Sequence, residues 1–424
     1  MNVGIVLLLL LLVLAFFGIP IYISLGIGTV VAMTMSGTPL LVLPQKLFYG
    51  MNSSSLLAIP FFVLAGTLMS RSITNKLVDI ANAMIGQVRG ALAIVTILAS
   101  AVFGAISGSG VATASAIGGL MIPAMKKEKY PPEFAVATAS ISSILGPIIP
   151  PSIVLIVYSS ITNVSVADLF IGSLIPGILM AGAFIVYALV YGKKHNLPAH
   201  EKSNVREVGH AFKEGIWALL MPVIILGGIF GGIFSATEAA VVAVVYALII
   251  SLFVYKDTKW SEIPELFVSA SITTAVIMIM VGLSKASTYV IVVSYLPQQL
   301  LAFFASATSS KYVILLMLNL LLLVVGMLME ANAAVIMLTP IVLPLLTGFG
   351  IDPMAFGIIM SMNLCIGLVT PPVGLCLLIG NQIGETSLSK SLRAMFPMLI
   401  IAIVVLLLCT YITPLTTWLP SIMS

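Results

Sequence analysis

Charge is the scarcest commodity in this sequence. Of its 424 residues only 8% are charged and 60% are hydrophobic, whereas a soluble domain carries about 25% charged residues. Mean hydropathy is +1.22. Cysteine is nearly absent: Cys365, Cys376 and Cys409 all lie in apolar stretches. No CxxC or Cys/His spacing occurs, which argues against a disulfide framework or a zinc site and leaves the thiols as small packing groups. The three histidines, His195, His200 and His210, share one polar stretch near 192–214. The serine of "GSG" at 108–110 therefore has no base to activate it, and no catalytic residue is assigned. A GxxxxGK[ST] phosphate loop is missing, so no ATP-driven step is visible. No acid or base precedes Lys46. Without a basic n-region, the opening run is expected to stay as a membrane helix over 3–35 rather than act as a signal peptide.

What is present is a succession of apolar runs, each long enough to cross a hydrocarbon core of about 30 Å. These imply an all-α polytopic membrane protein; a barrel would show short alternating segments. The basic residues sit in short loops between spans, so the net charge of +4 carries no sign of nucleic-acid binding. The lipid bilayer is the first partner.

An internal repeat is visible in the prolines. A shift of 221 residues places Pro123 on Pro344, Pro132 on Pro353, Pro150-Pro151 on Pro371-Pro372 and Pro176 on Pro397, with Ser140 on Ser361 and Gly146 on Gly367. "GPIIPP" thus has a partner, "GLVTPP". Repeats of this kind are typical of secondary transporters. The loop "KKEKY" pairs with "TGFGID", which has no basic residue, so the two loops face opposite sides under the positive-inside rule. Cytoplasmic segments at 71–90, 126–131, 193–213, 256–261 and 384–394 hold all the basic residues except Lys46, Lys285 and Lys311. Inverted-topology repeats follow, with a cytoplasmic N-terminus and a C-terminus outside.

The expected spans are 3–35 and 47–70, an amphipathic arm over 71–90, a reentrant hairpin over 92–125 turning at Ser107 to Gly110, a discontinuous helix over 132–162, and a return over 170–191. Helices over 215–234, 238–255 and 266–290 lead to a second arm near 292–311. A second hairpin, 312–346, turns near Gly326 to Asn332. A second broken helix covers 354–383, and a last span 395–419.

A Pro-Pro pair stops a helix, and the freed backbone groups cannot sit in lipid. They line a protein interior or a watery cavity. Carbonyl ends suit a hard cation and amide ends suit a carboxylate. Each half can build one site from a hairpin tip and a helix break. The expected cation ligands are carbonyls near Ser107, Ser143, Gly146, Ile149 and Pro150 in one half. In the other they are carbonyls near Gly326, Gly367, Val369 and Pro371, with the side chains of Glu330 and Thr370. Glu330 falls on Ser109 under the 221 shift, and an acid in an apolar run marks function.

The stretches "FGAISGSGVATASAIGGLMIPAM", "GPIIPPSIVLIVY" and "GLVTPPVGLCLL" resemble the large membrane subunit of tripartite ATP-independent periplasmic (TRAP) transporters, the DctM-like family, over essentially the whole chain. The resemblance implies an elevator mechanism, in which both hairpins and both broken helices (92–191 and 312–424) slide past a scaffold of helices and arms (1–91 and 192–311). It implies symport of two or more Na⁺ ions with an organic anion, of sialic acid or C4-dicarboxylate type. The substrate site between the hairpin tips maps onto Ser107, Ser109 and Ser152. The implied partners are a small four-helix membrane subunit, expected as a separate polypeptide, and a periplasmic binding protein that delivers substrate across the face of a bacterial inner membrane. Two other readings stay open: a binding-protein-independent carrier coupled to Na⁺ or H⁺, and a channel.

Overall fold

A computed structural model describes residues 2–85, 88–198, 205–308 and 310–423. Positions 86, 87, 199–204 and 309 lie outside the described residues, and with them His200 and Lys202 of the expected cytoplasmic loop. The described residues form helices and no strands. Among the described residues eight helices are long and apolar enough to cross a membrane, or nine if one bent pair counts as a span.

The chain opens with α1 (Val3–Phe16) and α2 (Ile21–Met35), then α3 (Val42–Met51), a 3₁₀ turn (Ser54–Leu57) and α4 (Ala58–Ile85). A single helix over 3–35 does not form. Such a helix would be about 50 Å long, well beyond a bilayer core of about 30 Å. Gly18 takes a positive φ of 81°, Pro20 supplies no N–H for a continuing helix, and the chain folds back. Gly28 lies on the Leu7 carbonyl, with space for a Cβ only 3.3 Å away, so α1 and α2 form an antiparallel hairpin. The next expected span, 47–70, is also divided: α3 and the helix after it meet at a 62° bend. α4 runs on without interruption through residues expected to start a separate arm.

The first half continues with α5 (Ala91–Ser107), α6 (Gly110–Lys127), α7 (Pro132–Ser142), α8 (Leu145–Ile148), α9 (Ile153–Thr162) and α10 (Val166–Lys194). Then come α11 (Val205–Phe230), α12 (Ala236–Ile249) with a π turn over Ile250–Val254, α13 (Ile263–Val293) and α14 (Leu296–Ala307), which occupies the expected second arm. The second half holds α15 (Lys311–Leu328), α16 (Ala331–Gly348), α17 (Pro353–Gly367), α18 (Leu375–Gly384), α19 (Leu388–Tyr411) and α20 (Pro414–Met423). The last expected span ends at Tyr411, and α20 packs back on α10, where Gly172 touches the Thr416 carbonyl and Pro420.

Both hairpins form, α5–α6 and α15–α16, and both double-proline helices are interrupted. α6 packs on α18 and α16 packs on α9, so each hairpin leans on a broken helix of the other half. The interrupted helix α7–α9 lies in the protein interior: 94% of its most apolar window is buried, against 50% or less for the windows of α10, α11 and α12. Irregular backbone at this depth is therefore enclosed by protein, as a low-dielectric surrounding demands.

Candidate functional site: two helix breaks and a shared cavity

The first break is built by proline chemistry. α7 stops at Ser142 and one short turn follows. Ile149 is then extended (φ −79°, ψ 127°), the Pro150-Pro151 bond is cis, and Ser152 caps α9. The tip of the first hairpin sits directly on this break. Gly108, at φ +61°, is packed so closely that a Cβ would lie 3.0 Å from the Pro151 carbonyl and 3.1 Å from the Ile153 amide. Gly104 and Gly146 approach backbone to backbone, and a Cβ on Gly104 would fall 2.3 Å from the Gly146 Cα. Close approach of glycines lets main-chain oxygens of two elements share one space.

Ser107 ends α5 with its Oγ 3.3 Å from Thr113 Oγ1. Ser109 caps α6, its Oγ accepting from the Ala112 amide at 3.3 Å. Its carbonyl accepts from Thr113 Oγ1 at 2.7 Å and stands 3.0 Å from the Cβ position of Gly146. Ser143 Oγ donates to the Ser140 carbonyl at 2.7 Å, and the Ser143 carbonyl accepts from the Gly146 amide at 3.1 Å. The structure thus gathers Ser107, Ser109, Ser143, Gly146, Ile149 and Pro150 at one tip-and-break junction. Thr113, which sequence reasoning missed, sits among them; only its four-residue spacing from Ser109 hinted at it.

The second junction repeats the plan. The Val373 amide donates to the Met327 carbonyl at 3.3 Å, joining break to tip. A Cβ on Gly367 would fall 2.2 Å from the Gly326 carbonyl carbon. Thr370 Oγ1 donates to the Ile366 carbonyl at 2.7 Å, Val369 is buried, and Pro371-Pro372 is cis. Glu330 caps α16: Oε2 accepts from the Asn332 and Ala333 amides at 2.9 and 3.3 Å, and Oε1 from Asn332 Nδ2 at 2.8 Å. Asn332 Oδ1 is buried without a hydrogen-bond partner.

The two tips face one cavity of about 860 Å³. Its walls include Ser107, Ser109 and Ser115 from the first hairpin, Glu330 and Asn332 from the second, and Ile153 at the start of α9. The opposite wall is made by Thr67 and Ser70 of α4 and Thr273 of α13. Ser152 is not on the wall. It is fully buried, and its Oγ donates to the Pro147 carbonyl at 2.6 Å while accepting from the Leu155 amide at 3.3 Å. Three helix N-termini, those of α6, α9 and α16, converge on the cavity. The ends of α6 and α9 present the positive end of a helix dipole, which suits an anion, whereas the amides of α16 already donate to Glu330. No basic side chain lines the wall. Lys285 is occupied elsewhere, donating to the Ser160 carbonyl at 3.3 Å. Among the described residues no cluster of three His, Cys, Asp or Glu side chains exists. The oxygens at the junctions are carbonyls and hydroxyls, with the Glu330 carboxyl group at the second, a donor set that suits hard ions.

A family model described as "Tripartite ATP-independent periplasmic transporter, DctM component" matches residues 8–415. The chain is similar to the C4-dicarboxylate TRAP transporter large permease protein DctM of Pseudomonas aeruginosa, with 38% identity over 94% of each chain. It is 35% identical to the sialic acid TRAP transporter large permease protein SiaM of Vibrio cholerae over 89% of each. Among solved structures, the Alcanivorax borkumensis YdaH transporter shares the fold, with a TM-score of 0.61 at 15% identity, covering 89% of this chain and 88% of that one.

Proposed function

This chain belongs to the DctM-component family of tripartite ATP-independent periplasmic transporters, and from that premise we propose that it imports an organic anion by Na⁺ symport. The observation that carries the proposal is the cavity shared by two hairpin tips, each tip seated on its own helix break. The breaks offer oxygen ligands to Na⁺, and the N-termini of α6 and α9 with the serine hydroxyls receive the anion. A C4-dicarboxylate or a sialic-acid-type sugar acid fits this chemistry, as the names of the relatives suggest. The scaffold wall of α4 and α13 stays fixed while hairpins and broken helices travel as an elevator. In Glu330 and Thr370 the second junction adds side-chain ligands that the first lacks.

The proposed partners are the small four-helix membrane subunit and a periplasmic binding protein, in a bacterial inner membrane. Orientation follows from the basic loops applied to the observed helices. The hairpin α1–α2 returns to the side it came from, and the bent pair α3–α4 then crosses to the cytoplasm. The amino terminus therefore lies outside, where Asn2 donates to the Ser294 carbonyl at 2.7 Å, rather than in the cytoplasm as a single first helix implied. The carboxyl terminus lies outside as well.

Proteoliposomes holding both membrane subunits test the reading. Uptake is expected to need an inward Na⁺ gradient and the binding protein; uptake indifferent to both would overturn it. The carboxylate on the cavity wall supports one other reading, proton coupling through Glu330. Na⁺-independent, pH-driven uptake that E330Q abolishes would favour it.

A further inference from the structure

We propose that the protein contains a second vestibule, closed in this conformation, and that the hydrogen bond from Ser284 to the Ile336 carbonyl is its latch. The 221-residue shift extends past the prolines to the wall of the open cavity. Val63, Gly66, Thr67 and Ser70 on α4 fall on Ser284, Ser287, Thr288 and Ile291 on α13. Ser115 and Ala116 on α6 fall on Ile336 and Met337 on α16. The first six residues line the 860 Å³ cavity. Their six mates line a collapsed pocket of about 10 Å³, bounded also by Leu7, Leu8 and Leu25 of the α1–α2 hairpin. That volume admits about one water. In a protein of two inverted repeats, one half shows the open form of a passage and the other its shut form.

The latch is specific to the shut side. Pro340 has no N–H, so the carbonyl four residues earlier, Ile336, loses its helical donor. Ser284 Oγ on α13 donates to that carbonyl at 2.9 Å, and both residues are buried. Neighbouring hydroxyls commonly satisfy carbonyls freed by proline at membrane depth. At the mated place on the open side the pieces are absent: Val63 has no hydroxyl, and Gly119 stands where Pro340 does. The two sides are therefore not equivalent, and the bond favours the state in which the α13–α16 side is shut. Opening exposes the Ile336 carbonyl to entering water. It also exposes Ser287 and Thr288, whose hydroxyls now donate to Leu283 and Ser284 carbonyls at 2.9 and 2.7 Å.

This inference rests on the alternating transport proposed above, and the test separates the two. Thr67→Cys and Thr288→Cys are made singly in the complete complex in proteoliposomes and treated with a membrane-impermeant maleimide from either face. The wild-type chain, whose three cysteines are buried, is the background. Thr288→Cys is expected to react only from the face opposite to the one that reaches Thr67→Cys. Loss of the latch by Ser284→Ala, or its replacement by a helical donor to Ile336 in Pro340→Ala, is expected to raise the Thr288→Cys rate about fivefold. The two changes together should do no more than either alone, and Ser284→Thr should behave as wild type. If Ser284→Ala fails to fold, Pro340→Ala carries the same test. A Thr288→Cys that stays unreactive from both faces in a transporting complex overturns the proposal, as do additive effects of the two changes. Absence of Na⁺-dependent uptake by the wild-type complex would count instead against the transport reading.

Discussion

A methyl group at position 104 has nowhere to go. It would lie 2.3 Å from Gly146 Cα and 2.8 Å from Gly146 N, all backbone that no rotamer can move. Gly104→Ala is expected to cost about 1–3 kcal/mol as overpacking, read as a lower thermal midpoint of the purified complex. Gly119, with nothing within 4 Å of its Cβ position, is the control: in mid-helix, Gly119→Ala should be neutral or stabilising by about 1 kcal/mol. Gly146 and Gly367 were legible in the sequence because each precedes a Pro-Pro pair at repeat-related positions. Gly104 was not, since a lone glycine in an apolar run looks like any packing residue until its neighbour in space is known. Glu330 was legible as an acid in an apolar run, and helix capping was one of the roles its position allowed; it does cap α16. A glutamine there keeps the shape and loses the charge and one accepting oxygen. Charge-assisted bonds are worth about 1.5–3 kcal/mol, so E330Q is expected to raise the Na⁺ concentration for half-maximal uptake at least about tenfold.

At the scale of elements, hairpins and breaks were legible almost to the residue, because their signals are chemical. Ser107 to Gly110 supply a left-handed turn and a cap, and proline pairs stop helices outright. Replacing Pro150 and Pro151 together with alanine is expected to join α8 to α9 into a continuous rod. Expression should survive and Na⁺ dependence of uptake should fall away; an unchanged Na⁺ affinity would reduce the break to a kink. The divisions at Gly18–Pro20 and at Pro414 went unread. There a single proline lies in an apolar run without charges to mark a turn, and hydropathy alone carries the reading across it. The α3–α4 bend falls around Asn52 to Ser55, polar positions that a hydropathy window averages away.

For the whole molecule, the cavity could not be read along the chain. Its far wall comes from Thr67, Ser70 and Thr273, residues of α4 and α13 that meet only through the fold. The repeat gave the inversion, yet the orientation of the first helices depended on counting a hairpin that hydropathy hides. A short reporter fused to the amino terminus is accordingly expected to react with an impermeant label added to the periplasmic side of intact cells. Labelling that appears only after the inner membrane is opened would return the amino terminus to the cytoplasm.

Under the proposed Na⁺ symport, the walls of the cavity also set an order of events. Their one acidic side chain is Glu330, and nothing cationic stands beside it. An acid arriving first meets no positive side chain, only the weak dipoles of helix ends. Sodium held at the two junctions, as proposed, would give the same acid a net attraction that the polypeptide itself does not possess. On that reading cargo without its ions is turned away at the door, and the empty carrier offers it no downhill leak to exploit.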